Sequence, residues 1–284
     1  MKSQKRIGIR GRKLTTPLLS LAALTILDAG PAGQIRAAAE AGWRSVGLRL
    51  MPLLATDAHV VGNAAAEDEV VRLLAETGLA VLEIGVFPVK PAMDWPLIEA
   101  VAQFSARLGA RHLVCPVEDH DEVRRLASFQ HLCEIAGRNA MSALVEFNPY
   151  SACPTLGVAV ALAQQADSAA AGLVIDVLHL SRSGGAPEDL ATVEPGLLRL
   201  VHLCDAPPPP DTRRSVEELR AESRTARLLP GEGSLWLDRL LDAMPAEAGI
   251  SIEAPSARHA LLPAAERARR ALVATQALMA QRSR

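Results

Sequence analysis

Aromatic side chains are scarce in this chain of 284 residues, of which Phe, Trp and Tyr make up only 3%. A core must therefore be built from Ala, Leu and Val, within a hydrophobic content of 49%. An excess of charge of one sign is also missing, since the formal net charge is −2. This balance gives no electrostatic reason to expect nucleic acid or a membrane surface as a partner. No apolar run is long enough to span a bilayer.

The C-x-x-C spacing of many metal-binding and redox cysteines is absent. The four cysteines are Cys115, Cys133, Cys153 and Cys204. We expect them to be small buried hydrophobic groups in a reducing cytosol, and we predict a cytoplasmic protein.

The N-terminus allows two interpretations. Residues 1–13 contain six basic and no acidic residues, and the apolar run Leu18–Leu27 follows. This is the outline of a signal peptide. The alternative is a disordered basic tail over residues 1–16, followed by a single domain over residues 17–284. We favour the tail, because the strand count below needs Leu18–Leu24 as a first strand.

Strand and helix patterns alternate along the chain, which predicts a single-domain (β/α)8 TIM barrel. An open doubly wound sheet would carry a G-x-G-x-x-G turn after its first strand, and this chain has Leu27-Asp28-Ala29-Gly30-Pro31 there. We expect Asn63 and Thr155 to cap helices and Pro187 to open a short sixth helix. The predicted strands are Leu18–Leu24, Ser45–Leu50, Leu79–Phe87, Arg111–Pro116, Met141–Phe147, Leu173–Asp176, Leu198–Cys204 and Ile250–Glu253.

One long insert interrupts the even spacing of these repeats. Pro207–Gly233 separates strands seven and eight and contains four consecutive prolines. Long loops in compact domains are usually functional or disordered. This one follows a strand that carries a ligand-type residue, so we predict a lid over the mouth of the barrel.

Four of the predicted strands carry ligand-type residues near their ends. Glu146, Asp176, His202 and Glu253 are separated by 30, 26 and 51 residues, which is one repeat, one repeat, and one repeat plus the insert. A buried carboxylate or imidazole is costly unless it is paired or binds a metal. The spacing predicts one divalent ion at the C-terminal mouth. Three oxygens and one nitrogen favour manganese, with magnesium, cobalt or zinc as alternatives.

The stretches VEFNP, IDVLHLSRSGG, VHLCDA, RLLPGEG and SIEAPS resemble the xylose isomerase-like TIM-barrel superfamily. They are most similar to its sugar phosphate isomerase/epimerase members, with ketose 3-epimerases and inosose-handling enzymes as relatives. The resemblance covers roughly residues 17–275 and is strongest in the second half. It implies the same four metal ligands. It also implies two residues that bind substrate oxygens, His179 and Arg227.

The first half of the chain departs from the family pattern. Relatives often carry a second acid after the strand-three Glu, whereas this chain reads Leu82-Glu83-Ile84-Gly85. Glu83 remains as a third candidate for substrate binding, and Gly85 occupies its partner's position. Ala23 and Thr25 stand where many relatives have a polar side chain. The family label therefore does not identify the substrate.

These residues predict an isomerase or epimerase acting on a sugar or polyol-derived ketone. Glu146 and Glu253 would act as acid and base on opposite faces of a metal-held enediolate. The alternative is a dehydratase acting on an inosose or a dehydroshikimate-like substrate, where loss of a β-hydroxide replaces reprotonation. An abasic-site endonuclease would need more His at the mouth and a basic face. A non-catalytic barrel and a homodimer are further hypotheses.

Overall fold

A computed structural model describes residues 18–53, 57, 59–208, 212 and 214–282. The predicted basic tail over residues 1–16 lies outside these ranges. Eight parallel strands close into a barrel in which each strand pairs with its neighbours in sequence and β1 pairs with β8. The single-domain (β/α)8 prediction is confirmed. The strands are β1 (Leu19–Leu21), β2 (Ser45–Arg49), β3 (Ala80–Gly85), β4 (His112–Pro116), β5 (Ser142–Glu146), β6 (Ala171–Asp176), β7 (Leu198–Leu203) and β8 (Gly249–Ile252).

Helices surround this barrel, and local capping explains where several of them begin. Asn63, Asp94, Asp121 and Thr155 each accept a hydrogen bond from a backbone N–H in the first turn of the helix that follows, which satisfies one of its free donors. The α-helices are α1 (Gly30–Ala41), α2 (Ala64–Thr77), α3 (Trp95–Arg107), α4 (Glu122–Arg138), α5 (Leu156–Gln165), α6 (Val177–Arg182), α7 (Val216–Thr225), α8 (Leu237–Ala243) and α9 (Ala264–Arg282). None of the described helices combines the length and the apolar character needed to cross a membrane.

The core has two layers. Most buried apolar side chains form one cluster, while a separate inner cluster takes one residue from each of β3 to β7. A Cβ atom on Gly249 would lie 3.0 Å from Leu82 and 3.3 Å from Leu200, which places this cluster inside the barrel. It forms an apolar floor beneath the C-terminal mouth. Its members are Leu82, Val114, Leu144, Val174 and Leu200.

Three elements differ from the sequence prediction. The first strand ends at Leu21 instead of Leu24, because the chain turns into a 3-10 helix over Ala23–Ala29. The sixth α-helix follows β6 directly as Val177–Arg182, and Pro187 opens only a 3-10 turn. The insert contains α7, which no earlier pattern predicted. Ser215 and Glu218 form a capping box at its start, so an S-x-x-E signal was present in the sequence.

Candidate metal centre

The four predicted ligands lie at the mouth of the barrel on neighbouring strands. Glu146 and Asp176 are the last residues of β5 and β6, and His202 on β7 is paired in register with Asp176. Glu253 follows the last residue of β8. Side chains two residues apart on a strand point to the same face, so Gly249, Ser251 and Glu253 all face the interior.

These residues converge on one point. Each offers one ligand atom, and all four atoms lie within 4.8 Å of one another. His202 Nδ1 lies 3.3 Å from Glu146 Oε1 and 3.5 Å from Glu253 Oε2, yet this buried nitrogen has no hydrogen-bond partner. A buried polar atom without a partner is costly. A cation between the imidazole and the carboxylates would satisfy it, so the residues fit a divalent metal.

Arg227 contributes the positive charge of this centre. Its side chain is 1% exposed and lies 2.6 Å from Asp176 Oδ2 and 3.1 Å from Glu253 Oε2. Its Nε donates to the carbonyl oxygen of Ser223 at 2.7 Å. The three ligand carboxylates carry three negative charges and Arg227 carries one positive charge. The excess of negative charge favours a cation at this centre.

Burial and neighbouring charges shift the pKa values of the candidate ligands in opposite directions. Burial raises the pKa of Asp176, but the charges of Arg227 and His179 outweigh it and the pKa is lowered. Burial also raises the pKa of Glu253, but the charges of His202 and Arg227 outweigh it and the pKa is lowered. Burial lowers the pKa of His202, while Glu253 and Glu83 raise it well above the ordinary value. The carboxylates of Asp176 and Glu253 are therefore held in the ionised form that a metal requires.

Glu83 lies behind His202. Its Oε2 is 3.1 Å from His202 Nε2, and its Oε1 accepts a hydrogen bond from Ser251 Oγ at 2.6 Å. A Cβ atom on Gly47 would lie 2.6 Å from Glu83 Oε1, so the missing side chain at Gly47 leaves room for this carboxylate. A carboxylate on the second ring nitrogen of a ligand His fixes its tautomer and orientation. Substrate binding by Glu83 stays a prediction, and these contacts favour a role in positioning His202.

Replacing Glu83 with Gln is therefore expected to weaken metal binding by about 10- to 100-fold. The amide can still contact the imidazole, but it lacks the negative charge that orients and polarises the ring. Titration of the metal-free protein with Mn²⁺ measures the affinity. Glu134→Gln, on the exposed face of α4, is the matched control and should bind like the parent. Unchanged affinity in Glu83→Gln would show that His202 does not need this carboxylate.

His179 borders the centre from the first turn of α6. Its backbone N–H donates to Asp176 Oδ1 at 2.9 Å, so Asp176 caps the helix that carries His179. Its Nε2 lies 4.0 Å from Asp176 Oδ2. The ring is buried and meets Tyr150 edge-on, with 5.8 Å between centroids. The structure thus brings the imidazole beside the ligands, and its contact with substrate stays a prediction.

The insert is tied to the mouth at several points. Arg182 on α6 forms an ion pair with Glu222 on α7 at 2.7 Å, and Tyr150 Oη lies 2.7 Å from Ser223 Oγ. Arg227 itself follows α7 and reaches the ligands. The described part of the insert therefore covers one side of the site. Its movement as a lid stays a prediction.

Two residues near the ligands have roles that the sequence analysis did not assign. Thr25 Oγ1 donates to the carbonyl oxygen of Ile252 at 2.7 Å and accepts from the N–H of Ala254 at 3.0 Å. It thereby holds the backbone on both sides of Glu253. Arg49 is the last residue of β2 and lies at the mouth. Its position as the last polar residue of a predicted strand could have identified it as a candidate site residue. The four cysteines are buried and free, as expected.

Comparisons with known proteins agree with this architecture. Three of the solved structures that share the fold illustrate this agreement. The IolI protein with a binding zinc atom has a TM-score of 0.77 at 17% identity, over 93% of this chain and 98% of that chain. D-allulose 3-epimerase from Methylomonas sp., in complex with D-allulose, has a TM-score of 0.67 at 16% identity, over 92% and 97%. The probable 3-DHS dehydratase AsbF from Bacillus anthracis has a TM-score of 0.67 at 15% identity, over 91% and 98%.

No curated protein matches the sequence. A family model described as "Xylose isomerase-like TIM barrel" matches residues 35–277. This range includes seven of the eight strands and all four candidate ligands. The chain belongs to the xylose isomerase-like TIM barrel family.

Proposed function

We propose that this protein is a divalent-metal-dependent isomerase or epimerase that acts on a ketone derived from a sugar or polyol. The observation that carries the proposal is the convergence of three carboxylates on His202 Nδ1, a buried nitrogen without a hydrogen-bond partner. The fold neighbours described as an epimerase and a dehydratase support the reaction class by analogy alone.

Glu146, Asp176, His202 and Glu253 would hold the metal. Three oxygen donors and one nitrogen favour a borderline-hard ion, with Mn²⁺ first and Mg²⁺, Co²⁺ or Zn²⁺ as alternatives. When bound, such an ion supplies Lewis-acid chemistry that polarises a carbonyl group.

Glu146 and Glu253 would move the protons. They approach the centre from β5 and from the end of β8, with His202 Nδ1 within 3.5 Å of both carboxylates. One carboxylate removes the proton from the carbon beside the carbonyl, and the other returns a proton. His202 and Arg227 lower the pKa of Glu253 and keep it ionised, while burial acts in the opposite direction and favours proton uptake.

His179 and Arg227 would position the substrate. The buried imidazole of His179 lies beside Asp176. It can donate a hydrogen bond to a substrate hydroxyl group or accept one from it. Most donors of Arg227 already contact protein groups, so its substrate contact would add to its pairing with the ligands. The partner is a small molecule. A cytoplasmic location and a homodimer stay predictions from the sequence.

The proposal is tested by metal analysis of the purified protein, followed by NMR of keto-sugars and inososes incubated with it in deuterated water. We expect about one divalent ion per chain, from the single four-ligand site, and deuterium entering at carbon without loss of water. Chelation should abolish this exchange, and added Mn²⁺ should restore it.

Two outcomes would contradict the proposal. A product that lacks water would indicate the dehydratase reaction, in which the same proton abstraction is followed by departure of a β-hydroxyl group. Exchange that persists after complete removal of the metal would show that the four ligands do not support the chemistry.

A further inference from the structure

Arg49, a cation at the mouth, has no partner among the residues that the structure describes. Arg49 is the last residue of β2 and is half-buried. It lies two positions after Gly47, whose Cβ direction points at the interior carboxylate of Glu83. Because side chains alternate along a strand, Arg49 also faces the barrel interior, one step closer to the mouth than Glu83.

The guanidinium group of Arg49 forms no hydrogen bond and no ion pair with any residue that the structure describes. Its Nε is buried and has no acceptor. Arg227, by contrast, donates to Asp176, Ser223 and the Glu253 carbonyl. A charged donor that is removed from water without an acceptor is costly. A ligand that brings a hydrogen-bond acceptor to Arg49 would offset this cost.

The surroundings of Arg49 connect it to the candidate centre. Burial lowers its pKa, while the charges of Glu253, Asp57 and Glu146 act in the opposite direction. Two of these three acids are candidate metal ligands, so Arg49 lies within electrostatic reach of the reacting end of a substrate. Arg49 thus lies beside the site and is not part of the ligand set.

A second cation lies near Arg49. Arg224, in the last turn of α7, is close enough for its charge to lower the pKa of Arg49 further. It is exposed, and it has no ion pair among the described residues. Two like charges that approach each other repel. An anionic group between them would relieve this repulsion and satisfy both guanidinium groups, which suit carboxylate and phosphate oxygens through paired N–H donors.

We propose that Arg49, with Arg224 near it, binds an anionic group of the substrate, a carboxylate or a phosphate, while the ketone end occupies the four-ligand centre. This inference rests on the proposed function and narrows its substrate class from neutral sugars to charged ones. Arg49 supplies the half-buried contact that sets specificity. Arg224 belongs to the insert and, as an exposed side chain, would contact the same group from the solvent side.

The test compares charged and neutral ketones on the Mn²⁺-loaded protein at fixed ionic strength, because salt screens exposed charges. Calorimetric titration with D-ribulose 5-phosphate against D-ribulose tests phosphate. Titration with 3-dehydroshikimate against 2-keto-myo-inositol tests carboxylate. We expect the charged member of at least one pair to bind on the order of 10-fold or more tightly, the usual effect of a charge-assisted hydrogen bond. The pair in which the charged ketone binds more tightly shows whether the site prefers phosphate or carboxylate.

Arg49→Met should remove this preference and leave the affinity for neutral ketones unchanged. Arg44→Met is the matched control, because Arg44 is exposed just before the opposite end of the same strand, and it should bind like the parent. Arg224→Met should reduce the preference by a smaller factor. Circular dichroism and Mn²⁺ content confirm that the variants retain the fold and the centre.

Equal affinity for charged and neutral ketones in the parent, or an unchanged preference in Arg49→Met, would overturn the inference. These results are separable from failure of the proposed function, because the titration measures affinity and deuterium exchange measures turnover separately. Deuterium exchange that proceeds equally on charged and neutral ketones would overturn the inference while the proposed function stands. A charge preference that depends on Arg49, without exchange on any ketone, would support the anion site and contradict the isomerase proposal.

Discussion

Glu146→Gln and Glu253→Gln are each expected to lose activity by on the order of 10² or more, the usual contribution of a general acid or base. An amide keeps an oxygen for the metal but cannot accept a proton at neutral pH. Each variant should therefore retain partial metal binding. Metal content and turnover of the same preparation give the two measurements, and Glu134→Gln on α4 is the control for a Glu-to-Gln change away from the site.

Deuterium exchange separates the roles of the two glutamates. A variant that still exchanges deuterium into the substrate without forming product has kept its base and lost the acid on the second face. His179→Asn should be less harmful, because His179 is assigned to orientation and not to the primary proton transfer. Full activity in either Gln variant would refute the two-glutamate mechanism and would point to His179 or Glu83 as the base.

Arg227→Met is expected to impair turnover strongly and to destabilise the metal-free protein. Removing one partner from a buried ion pair leaves the other charge uncompensated, which typically costs about 3–5 kcal/mol. Here both Asp176 and Glu253 would lose their contacts with the guanidinium group. A bound divalent ion would neutralise the same carboxylates, so added metal should recover much of the lost stability but not the activity.

Thermal unfolding with and without Mn²⁺, together with turnover, measures these effects. Arg214→Met is the control within the insert, because Arg214 pairs with Glu222 at 2.6 Å and, among the described residues, does not contact the candidate ligands. Arg227→Lys should give an intermediate result, since one ammonium group cannot reproduce the planar fork that contacts two carboxylates. Normal turnover in Arg227→Met would contradict both the positioning and the lid assignments.

The barrel and the position of the candidate ligands could be predicted from the sequence because strand chemistry is periodic. Apolar runs that end in Glu146, Asp176 and His202 each mark the end of a buried strand, and the ends of parallel strands meet at one face. A pattern within each short run therefore predicts which residues lie close together in the fold. The spacing of the repeats adds Glu253 to the same set.

Contacts across the barrel were beyond the reach of such rules. Glu83 contacts His202, which is 119 residues away in the sequence. No feature of the sequence around Glu83 shows whether its carboxylate faces the substrate or this histidine. Its orientation depends on an extra residue in β3 between Val81 and Ile84, where the register with β2 shifts, and on the space left by Gly47. Arg49 was missed for a related reason, since the absence of a partner is a property of the folded mouth.

The sixth helix shows a different limit. Asp176 was interpreted only as a ligand, although Asp at this position can also cap a helix. Its Oδ1 accepts the N–H of His179, so one residue ends a strand, begins a helix and lies in the centre. Sequence rules assign each residue one role at a time, and the helix was therefore placed at Pro187.

Thr25 links the candidate centre to the order in which the chain is made. Its hydroxyl bonds to residues 227 and 229 positions later, on both sides of Glu253. Contacts of such long separation form late in folding, because the entropy of closing the loop must be paid first. A nascent chain can thus assemble the surroundings of Glu146, Asp176 and His202 before Glu253 has been synthesised. The full ligand set arises only when the barrel closes, so metal binding at the candidate centre would report completed folding.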